Sequence, residues 1–438
     1  MHSWIRTTPR PALLTLAALL MVGMHPAGAS GPQGLSKFDR QQGRMILTVV
    51  RNDLTSYYYD PNYHGLSLED VFSKAGDAID RANSHAEIFT AIAGTLRALN
   101  DSHTFFVPPG WAAKIEFGWG VQMVGNQCYL NAVQPGSEAE SLGMKRGDQV
   151  LSIDGLRPTR QNLGDMMYDQ RLLMPRASSQ LVLKGPAGPE REVIVHSKVQ
   201  SQKRVMSRRA DLSDILRSLD DEAYLARHRT HESGDLMIWK MPQFDLRRED
   251  VGRMLARVRK HKSLILDLRG NPGGSVETLE YLTAGFIGEN VKVGDVKSRL
   301  KVEPIVSRKS QEVFEGTVIV LIDQASGSAA EIFARQMQLS QRAKVLGDRS
   351  SGSVMESQLY DRETSGLFFG SSITIADVIM TDGKSLEKVG VTPDEILLPS
   401  GEDLAKNRDP VLSRAAEMCG VTMDPAAAGA LFPFEWKR

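Results

Sequence analysis

Two short segments of the chain are rich in small residues, and each lies between an apolar run and a helical pattern. The first runs from Asp267 to Gly274 and ends in two adjacent glycines. The second runs from Asp323 to Ile332 and contains Ser328 between Gly327 and Ala329, which leave its hydroxyl open to a substrate. Such a turn suits nucleophilic catalysis by serine. Taken alone, a serine at this position also fits a helix N-cap.

The same two turns offer backbone N–H groups for a developing oxyanion. Gly273 and Gly274 let the backbone turn tightly and present N–H groups at the start of a helix. The N–H of Ala329, next to Ser328, is a further donor of this kind. The residues therefore predict acyl transfer with an oxyanion hole made of Gly273, Gly274 and Ala329, although the first segment alone also fits a simple tight turn.

Together the two segments resemble the motifs of the S41 serine peptidases. Residues 267–274 fit the family pattern DLRxNxGG, and residues 326–332 fit the pattern SASAxEI, which makes Ser328 the nucleophile of the family. The resemblance covers about residues 40–398. It implies a core built as the crotonase-like spiral of strands and helices.

The C-terminal-processing branch of this family uses a lysine base on the C-terminal side of the nucleophile. In the matching segment here the lysine position holds Ser353, and Ser357 stands where that branch carries glutamine. A serine hydroxyl cannot accept the proton of Ser328 as a lysine amine does. A Ser–Lys mechanism is therefore not expected for this chain.

The tricorn-like branch of the family uses a histidine, and both of its motifs have counterparts here. Residues 99–104 fit its histidine segment, and residues 387–394 fit the segment in which a glutamate precedes GVxPD. The imidazole of that branch acts as general base and then as general acid, and the carboxylate orients it. The resemblance implies that Ser328 is the nucleophile and His103 the base. It also implies that Glu387 is the carboxylate that orients the imidazole and that Ser102 supplies a bridging hydroxyl.

These assignments have alternatives. A histidine at the end of a helix often caps carbonyl groups, so His103 also fits a structural role. Glu387 also fits a surface ion pair with Lys388 or Arg349, and Lys384 is a second candidate base.

A second resemblance lies between the histidine segment and the core. Residues 135–155 contain Pro-Gly-Ser-Glu-Ala, Gly-Met-Lys-Arg-Gly-Asp and Ile-Asp-Gly, and resemble the PDZ domains of bacterial proteases. In such a domain consecutive N–H groups cradle a terminal carboxylate, and the peptide adds as a strand to the sheet edge. The corresponding loop here consists of Gly118, Trp119, Gly120 and Val121. Trp119 equally fits an aromatic residue that covers the module's core.

The elements that must position these residues differ along the chain. Helical periodicity over residues 36–100 predicts a small helical cap. Short β-rich runs between Gly and Pro turns over residues 115–200 predict a compact, mostly-β module. From residue 235 strand and helix patterns alternate, which implies a largely parallel sheet covered on both faces. The tail after Ser400 looks helical and loses its pattern near Pro425.

The expected fold class is therefore a multidomain α/β protein. Its core is a crotonase/ClpP-like spiral of ββα units, with a helical N-terminal cap and an inserted mostly-β PDZ domain. The predicted segments are a signal peptide at residues 1–29, the cap at 30–110, the PDZ domain at 111–200, a linker at 201–234, the peptidase core at 235–400 and a C-terminal tail at 401–438.

The N-terminal residues have the features of a signal peptide. Arg6 and Arg10 precede an apolar run over residues 13–22, which is followed by a small-x-small site at residues 27–29. The run falls short of the roughly 20 residues that span a bilayer. We therefore expect cleavage after Ala29 and a periplasmic or secreted protein without stable membrane insertion, an uncleaved anchor being the alternative.

The overall composition excludes several classes of partner. The chain has 53 basic and 53 acidic residues, so no net field steers it to nucleic acid or to an anionic membrane. It has no Cys–His cluster and no Walker-type loop, so we expect neither a metal nor a cofactor. The two cysteines, Cys128 and Cys419, are too few for a disulfide framework, and their pairing stays open.

The resemblance implies an exported serine endopeptidase that acts on proteins or peptides of the cell envelope. Its PDZ domain would capture an unstructured C-terminus of the substrate. The alternative is a catalytically inactive protein that binds peptides or apolar ligands on the same fold. An acyl-CoA enzyme on the same type of core is disfavoured by the signal peptide and the PDZ domain.

Overall fold

The computed structural model describes residues 35–109, 113–201, 226–308 and 312–436. The predicted signal peptide, residues 1–29, lies outside the described residues, as does most of the predicted linker, residues 201–234.

Three helices form the N-terminal cap: α1, Lys37–Tyr57; α2, Leu68–Arg81; and α3, His85–Arg97. Each begins after a serine whose side chain accepts a backbone N–H of the first turn, which satisfies one of the donors that a helix start leaves free. The apolar residues at three and four spacing face one another and are buried. This core includes Ile46, Val50, Leu54, Ile79, Ile88 and Ile92.

Short strands and turns then form a mostly-β module over residues 113–201. Its main sheet has five antiparallel strands in sequence order: β3, Trp119–Val124; β4, Gln127–Val133; β5, Gln149–Ile153; β6, Ser178–Lys184; and β7, Glu190–His196. A separate pair joins β2, Ala113–Glu116, to β8, Lys198–Ser201. Two short helices complete it: α4, Glu138–Ser141, and α5, Leu163–Tyr168. Among the described strands β3 pairs only with β4, so it is an edge strand of the main sheet.

The rest of the chain is an α/β core built on a six-stranded sheet. Its order is β18-β15-β14-β11-β10-β9, and only the β9–β10 pair is antiparallel. The strands are β9, Arg229–Ser233; β10, Leu236–Lys240; β11, Ser263–Asp267; β14, Thr317–Ile322; β15, Lys344–Gly347; and β18, Glu395–Ile396. The predicted, largely parallel sheet is confirmed.

Helices cover both faces of this sheet. One face packs against α6, Arg248–Val258; α7, Val276–Ile287; and α8, Ala329–Leu339. The other packs against α10, Pro410–Met418, and α11, Pro425–Ala430, which follow the short α9, Gly401–Ala405. Alternate strand residues face opposite helices, as the two-residue period of a strand requires. Residues 425–430, where the helical pattern was expected to end, form a helix because Asp424 caps it and Pro425 starts it.

A second, antiparallel sheet joins the cap to the core. It contains β1, Phe105–Val107; β12, Lys292–Ser298; β13, Val302–Val306; β16, Glu356–Thr364; and β17, Leu367–Met380. The sequence analysis did not identify these strands. Because β1 follows α3 directly and pairs with β17, the turn between α3 and β1 is held against the core.

Two further contacts fix the cap on the core. Arg362 of β16 pairs with the buried carboxylate of Asp53 in α1, and the rings of Tyr57 and Tyr360 stack with centroids 4.1 Å apart. Within the described residues, no helix combines the length and the hydropathy needed to cross a membrane.

Candidate active site

Ser328 occupies the sharp turn between β14 and α8, with φ 50° and ψ −120°. A non-glycine residue adopts this backbone conformation only at a cost, and such strain is concentrated at functional sites. A strained serine between a strand and a helix is the geometry that exposes a nucleophilic hydroxyl. The Ser328 N–H donates to the carbonyl of Ser353 at 2.8 Å and to Glu331 Oε2 at 3.1 Å, which holds the turn in place.

The glycine-rich segment after β11 lies directly against this turn. A Cβ atom added to Gly273 would be 2.6 Å from Ser328 Cβ and 2.9 Å from the Ala329 nitrogen, so only glycine allows this approach. Asn271 fixes the segment, because its amide donates to Met241 and its backbone carbonyl accepts the Gly327 N–H at 2.9 Å. The two segments that the sequence singled out are therefore in contact.

The expected oxyanion donors are not equivalent in this structure. The Gly273 N–H donates to the side chain of Asn271 at 2.8 Å and is engaged within its own loop. Among the described residues, no protein acceptor takes the N–H of Gly274 or of Ala329. The N–H groups of Gly274 and Ala329 are thus the donors that remain for a ligand beside Ser328.

A buried ion cluster supports the base of this loop. Arg269 pairs with Asp267 at 2.8 Å and with Asp409 at 2.7 Å, and Lys240 lies 3.2 Å from Asp267. Burial alone would raise the pKa of Asp267, but Arg269 and Lys240 outweigh it and hold the pKa well below its usual range. The cluster ties the glycine-rich loop to the start of α10.

Ser102, His103 and Glu387 form a connected unit, although 285 residues separate the serine from the glutamate. Ser102 Oγ lies 2.7 Å from His103 Nδ1 and donates to Glu387 Oε2 at 2.9 Å. The Ser102 N–H donates to Glu387 Oε1 at 2.8 Å. Because the hydroxyl has one proton and gives it to Glu387, His103 Nδ1 must carry a proton of its own. The other ring nitrogen, Nε2, is then the basic one.

The surroundings keep this imidazole neutral near pH 7. Burial, opposed by the negative charge of Asp101 and assisted by the positive charge of Lys388, lowers the pKa of His103 to about 4. Burial also raises the pKa of Glu387, against the hydrogen bonds from the Val354 N–H and from Ser102. A neutral imidazole of this tautomer is able to accept a proton.

A chain of hydrogen bonds joins this unit to Ser328. The Val354 N–H donates to Glu387 Oε2 at 3.1 Å, while the carbonyl of the preceding residue, Ser353, accepts the Ser328 N–H. The position at which a related enzyme branch carries its lysine base is thus in contact with Ser328 but holds a serine, whose hydroxyl pairs with Ser351 at 2.8 Å. Lys384 lies exposed in the turn after β17.

Two acidic residues of the site were not assigned a role from the sequence. The carboxylate of Glu331 in α8 is fully buried and accepts four hydrogen bonds. The half-buried carboxylate of Asp101, the residue before Ser102, also accepts four. A glutamate three residues after a helix-starting serine is a capping-box signal. This signal could have identified Glu331 as a capping residue, but not the loop that its side chain also binds.

The predicted peptide-binding loop, Gly118 to Val121, begins at the edge strand β3. Gly118 has φ 74°. Trp119 is buried in the core of the β module, which agrees with the alternative interpretation of Trp119 as a core-covering aromatic residue. Gln122, the next residue of β3 after this loop, donates to Asp323 Oδ2 at 2.7 Å. The edge strand therefore touches the segment that carries Ser328.

Both cysteines are free thiols, Cys128 buried and Cys419 half-buried. Within residues 35–109, 113–201, 226–308 and 312–436, no group of three or more His, Cys, Asp or Glu side chains is arranged to hold a metal ion.

Residues 236–397 match the model of peptidase family S41. A carboxyl-terminal-processing protease of Synechocystis sp. is 24% identical over 326 residues, which cover 71% of this chain and 71% of that protein.

Solved structures show the same fold. Mature CPAF, in a complex with lactacystin, superposes with a TM-score of 0.63 at 15% identity, over 84% of this chain and 96% of CPAF. The photosystem II D1 C-terminal processing protease gives a TM-score of 0.51 at 16% identity, over 88% of this chain and 99% of that protein. The predicted multidomain α/β fold class is thereby confirmed.

Proposed function

Because residues 236–397 of this chain match the model of peptidase family S41, we propose that the protein is a serine endopeptidase with Ser328 as its nucleophile. The observation that carries this proposal is the Ser102 hydroxyl, which bridges Glu387 and His103 and so leaves the imidazole Nε2 free as a base. The strained backbone of Ser328 supports the proposal further.

The first half of the proposed reaction is acylation. His103 Nε2 takes the proton of the Ser328 hydroxyl while Oγ attacks the carbonyl carbon of the substrate. The carbonyl oxygen becomes an oxyanion that the N–H groups of Gly274 and Ala329 stabilise. When the C–N bond breaks, the imidazolium gives its proton to the leaving amine, and the acyl group remains as an ester of Ser328.

The second half is hydrolysis of this ester. His103 accepts a proton from the attacking water and returns it to Ser328 Oγ as the acid product leaves. In both halves positive charge develops on the imidazole. The Nδ1–H to Ser102 and Ser102 to Glu387 hydrogen bonds connect that charge to a carboxylate in a poorly solvated site, where such stabilisation is strong.

We further propose that the β module is a PDZ domain that binds the C-terminus of the substrate through Gly118, Trp119, Gly120 and Val121. The unpaired edge of β3 supports this, because a peptide can add there as a further strand. The substrates would be envelope proteins or peptides, since the predicted signal peptide directs the chain to the periplasm or the exterior. The Synechocystis relative is named as a carboxyl-terminal-processing protease, which agrees with C-terminal capture.

A fluorophosphonate probe, which reacts with activated serines, tests the proposal. We expect the purified protein to be labelled once, and Ser328→Ala to abolish labelling. Ser353→Ala is the matched control, because Ser353 lies on the adjacent loop and its hydroxyl contacts only Ser351 among the described residues. The absence of labelling in the folded wild type would favour the catalytically inactive binding protein instead.

A further inference from the structure

Asp101 is the residue before Ser102, and its carboxylate accepts four hydrogen bonds. Oδ1 takes the N–H of His103 at 3.0 Å, the N–H of Thr104 at 2.7 Å and the hydroxyl of Thr374 at 2.8 Å. Oδ2 takes the hydroxyl of Tyr58 at 2.9 Å. Two of these four donors are backbone N–H groups of the turn that carries the imidazole.

The other two donors come from different parts of the molecule. Tyr58 ends α1 in the cap and is fully buried, and Thr374 lies in β17 of the core and is fully buried. Thr374 also donates its own N–H to the Thr104 hydroxyl at 3.0 Å. Asp101 therefore joins the cap, the core sheet and the turn between them at a single carboxylate.

Two carboxylates together take three successive backbone N–H groups of this turn. Glu387 accepts the N–H of Ser102, and Asp101 accepts those of His103 and Thr104. The path of the backbone at His103 is thus fixed from both sides. Since satisfied networks of buried polar groups are rigid, the direction in which the imidazole leaves the backbone is fixed as well.

We propose that Asp101 is a positioning residue, which holds the His103 imidazole in register with Ser328 by tying its turn to both α1 and β17. This inference rests on the proposed function, because it assigns a purpose to the position of the base. All four hydrogen bonds of its carboxylate are made with protein groups, so we assign it a geometric contribution beside the electrostatic one that its charge makes at His103. A misplacement of about 1 Å costs a catalytic group roughly 100-fold in rate.

The test measures the fluorophosphonate reaction of Asp101→Ala and Asp101→Asn over a range of probe concentrations, which separates kinact from KI. We expect Asp101→Ala to lower kinact about 100-fold with little change in KI. Asp101→Asn keeps an oxygen where Oδ1 accepts the N–H groups of the turn, so we expect it to remain within about tenfold of the wild type. Thermal unfolding and circular dichroism check that both variants are folded.

A merely structural role would give a different result. It would reduce the fraction of protein that labels, while the labelled fraction reacted with the wild-type kinact. That outcome, or a kinact for Asp101→Asn as low as that of Asp101→Ala, overturns the inference and leaves the proposed function standing. An unlabelled wild type overturns both together.

Thr374→Val provides a second route if Asp101→Ala does not fold. It removes the donor that β17 gives to Asp101 Oδ1, while the carboxylate and the two N–H groups remain. We expect kinact to fall about tenfold. A kinact equal to that of the wild type contradicts the inference.

Discussion

At the scale of single residues, the Ser102 hydroxyl decides which nitrogen of His103 is basic. A direct His–Glu contact would also fix the tautomer, but here the hydroxyl stands between the two and forms bonds of 2.7 and 2.9 Å. The single proton of a hydroxyl allows only one donation, and the acceptor of that donation is the carboxylate. The basicity of Nε2 therefore follows from the hydrogen-bond inventory of a neighbouring residue.

The lowered pKa of His103 predicts the pH dependence of the reaction. Because burial lowers this pKa to about 4, the imidazole is already neutral at pH 6, and kinact with the fluorophosphonate should be constant from about pH 6 to 8 as far as this group is concerned. Below about pH 4, kinact should fall tenfold per pH unit, as long as circular dichroism shows that the protein is still folded. An inflection near pH 6.5, the value of a solvated histidine, would contradict the lowered pKa of the base.

The same pKa also predicts how pH changes stability. The unfolded chain binds the His103 proton at about pH 6.5 and the folded protein only at about pH 4, so stability decreases as the pH falls through this window. His103→Gln removes the titrating group. The free energy of unfolding of the wild type relative to this variant, measured in urea, should therefore decrease as the pH falls from 6.5 to 4 and stay constant above pH 7. A difference that is independent of pH would rule out the shift.

At the scale of elements, Glu331 organises the start of α8 and the loop that lies over it. Oε1 accepts the Ser350 hydroxyl at 2.6 Å and the Gly352 N–H at 2.7 Å, and Oε2 accepts the N–H groups of Ser353 and Ser328. Burial raises the pKa of Glu331 to about 7, against the four donors that favour its charged form. One side chain therefore fixes both the strained serine and the loop that connects it to Glu387.

Glu331→Gln should damage both stability and activity. The amide nitrogen of glutamine cannot accept, so one pair of donors loses its acceptor in a site without solvent. Each buried donor left unsatisfied costs about 1–3 kcal/mol, and the loop should shift away from Ser328. We expect a lower free energy of unfolding by about 2 kcal/mol in urea and at least tenfold slower fluorophosphonate labelling.

The control for this prediction is Glu417→Gln on α10, where the side chain is 69% exposed. It should change the free energy of unfolding by less than about 0.5 kcal/mol. If Glu331→Gln behaved like this control, the buried glutamate would not be what organises the turn.

The elements that carry Ser328 were predictable because their patterns are local. The strand at residues 317–322 is a continuous apolar run, and the helix at residues 329–339 has a clear apolar stripe, so both were predicted with the bounds that the structure has. The strands β12, β13, β16 and β17 were missed, since the burial of their residues does not follow a regular two-residue alternation. The partnership of Ser102 with Glu387 spans most of the chain, and only a family resemblance indicated it.

At the scale of the whole molecule, buried polar contacts hold the β module on the core. Asp348, which follows β15, accepts the Gly125 N–H at 2.8 Å and pairs with Arg160, and both side chains of this pair are nearly buried. Arg160 also donates to the carbonyl of Arg349 at 3.0 Å. Asp323 joins Gln122 of the module to the Gly270 N–H of the glycine-rich loop. No sequence pattern indicated these contacts, because the local sequence around each residue carries no signal of its distant partner.

This arrangement predicts that Arg160 secures the position of the β module. Arg160→Ala leaves the buried carboxylate of Asp348 without its cation, and breaking such a pair from one side costs about 3–5 kcal/mol. Urea unfolding should show a loss in this range, and hydrogen exchange should show weaker protection at the Gly125 amide. Lys406→Ala is the matched control, since its ion pair with Glu402 is exposed and should contribute less than about 1 kcal/mol.

A double-mutant cycle separates the ion pair from the rest of the interface. Asp348→Asn keeps an oxygen for the Gly125 N–H but no longer needs the guanidinium, so Arg160→Ala should cost much less in that background. The coupling between the two substitutions then measures the pair itself. If Arg160→Ala cost as little as Lys406→Ala in the wild type, the module would be held by its remaining contacts, and the strand β3 would keep its place beside Asp323 without this arginine.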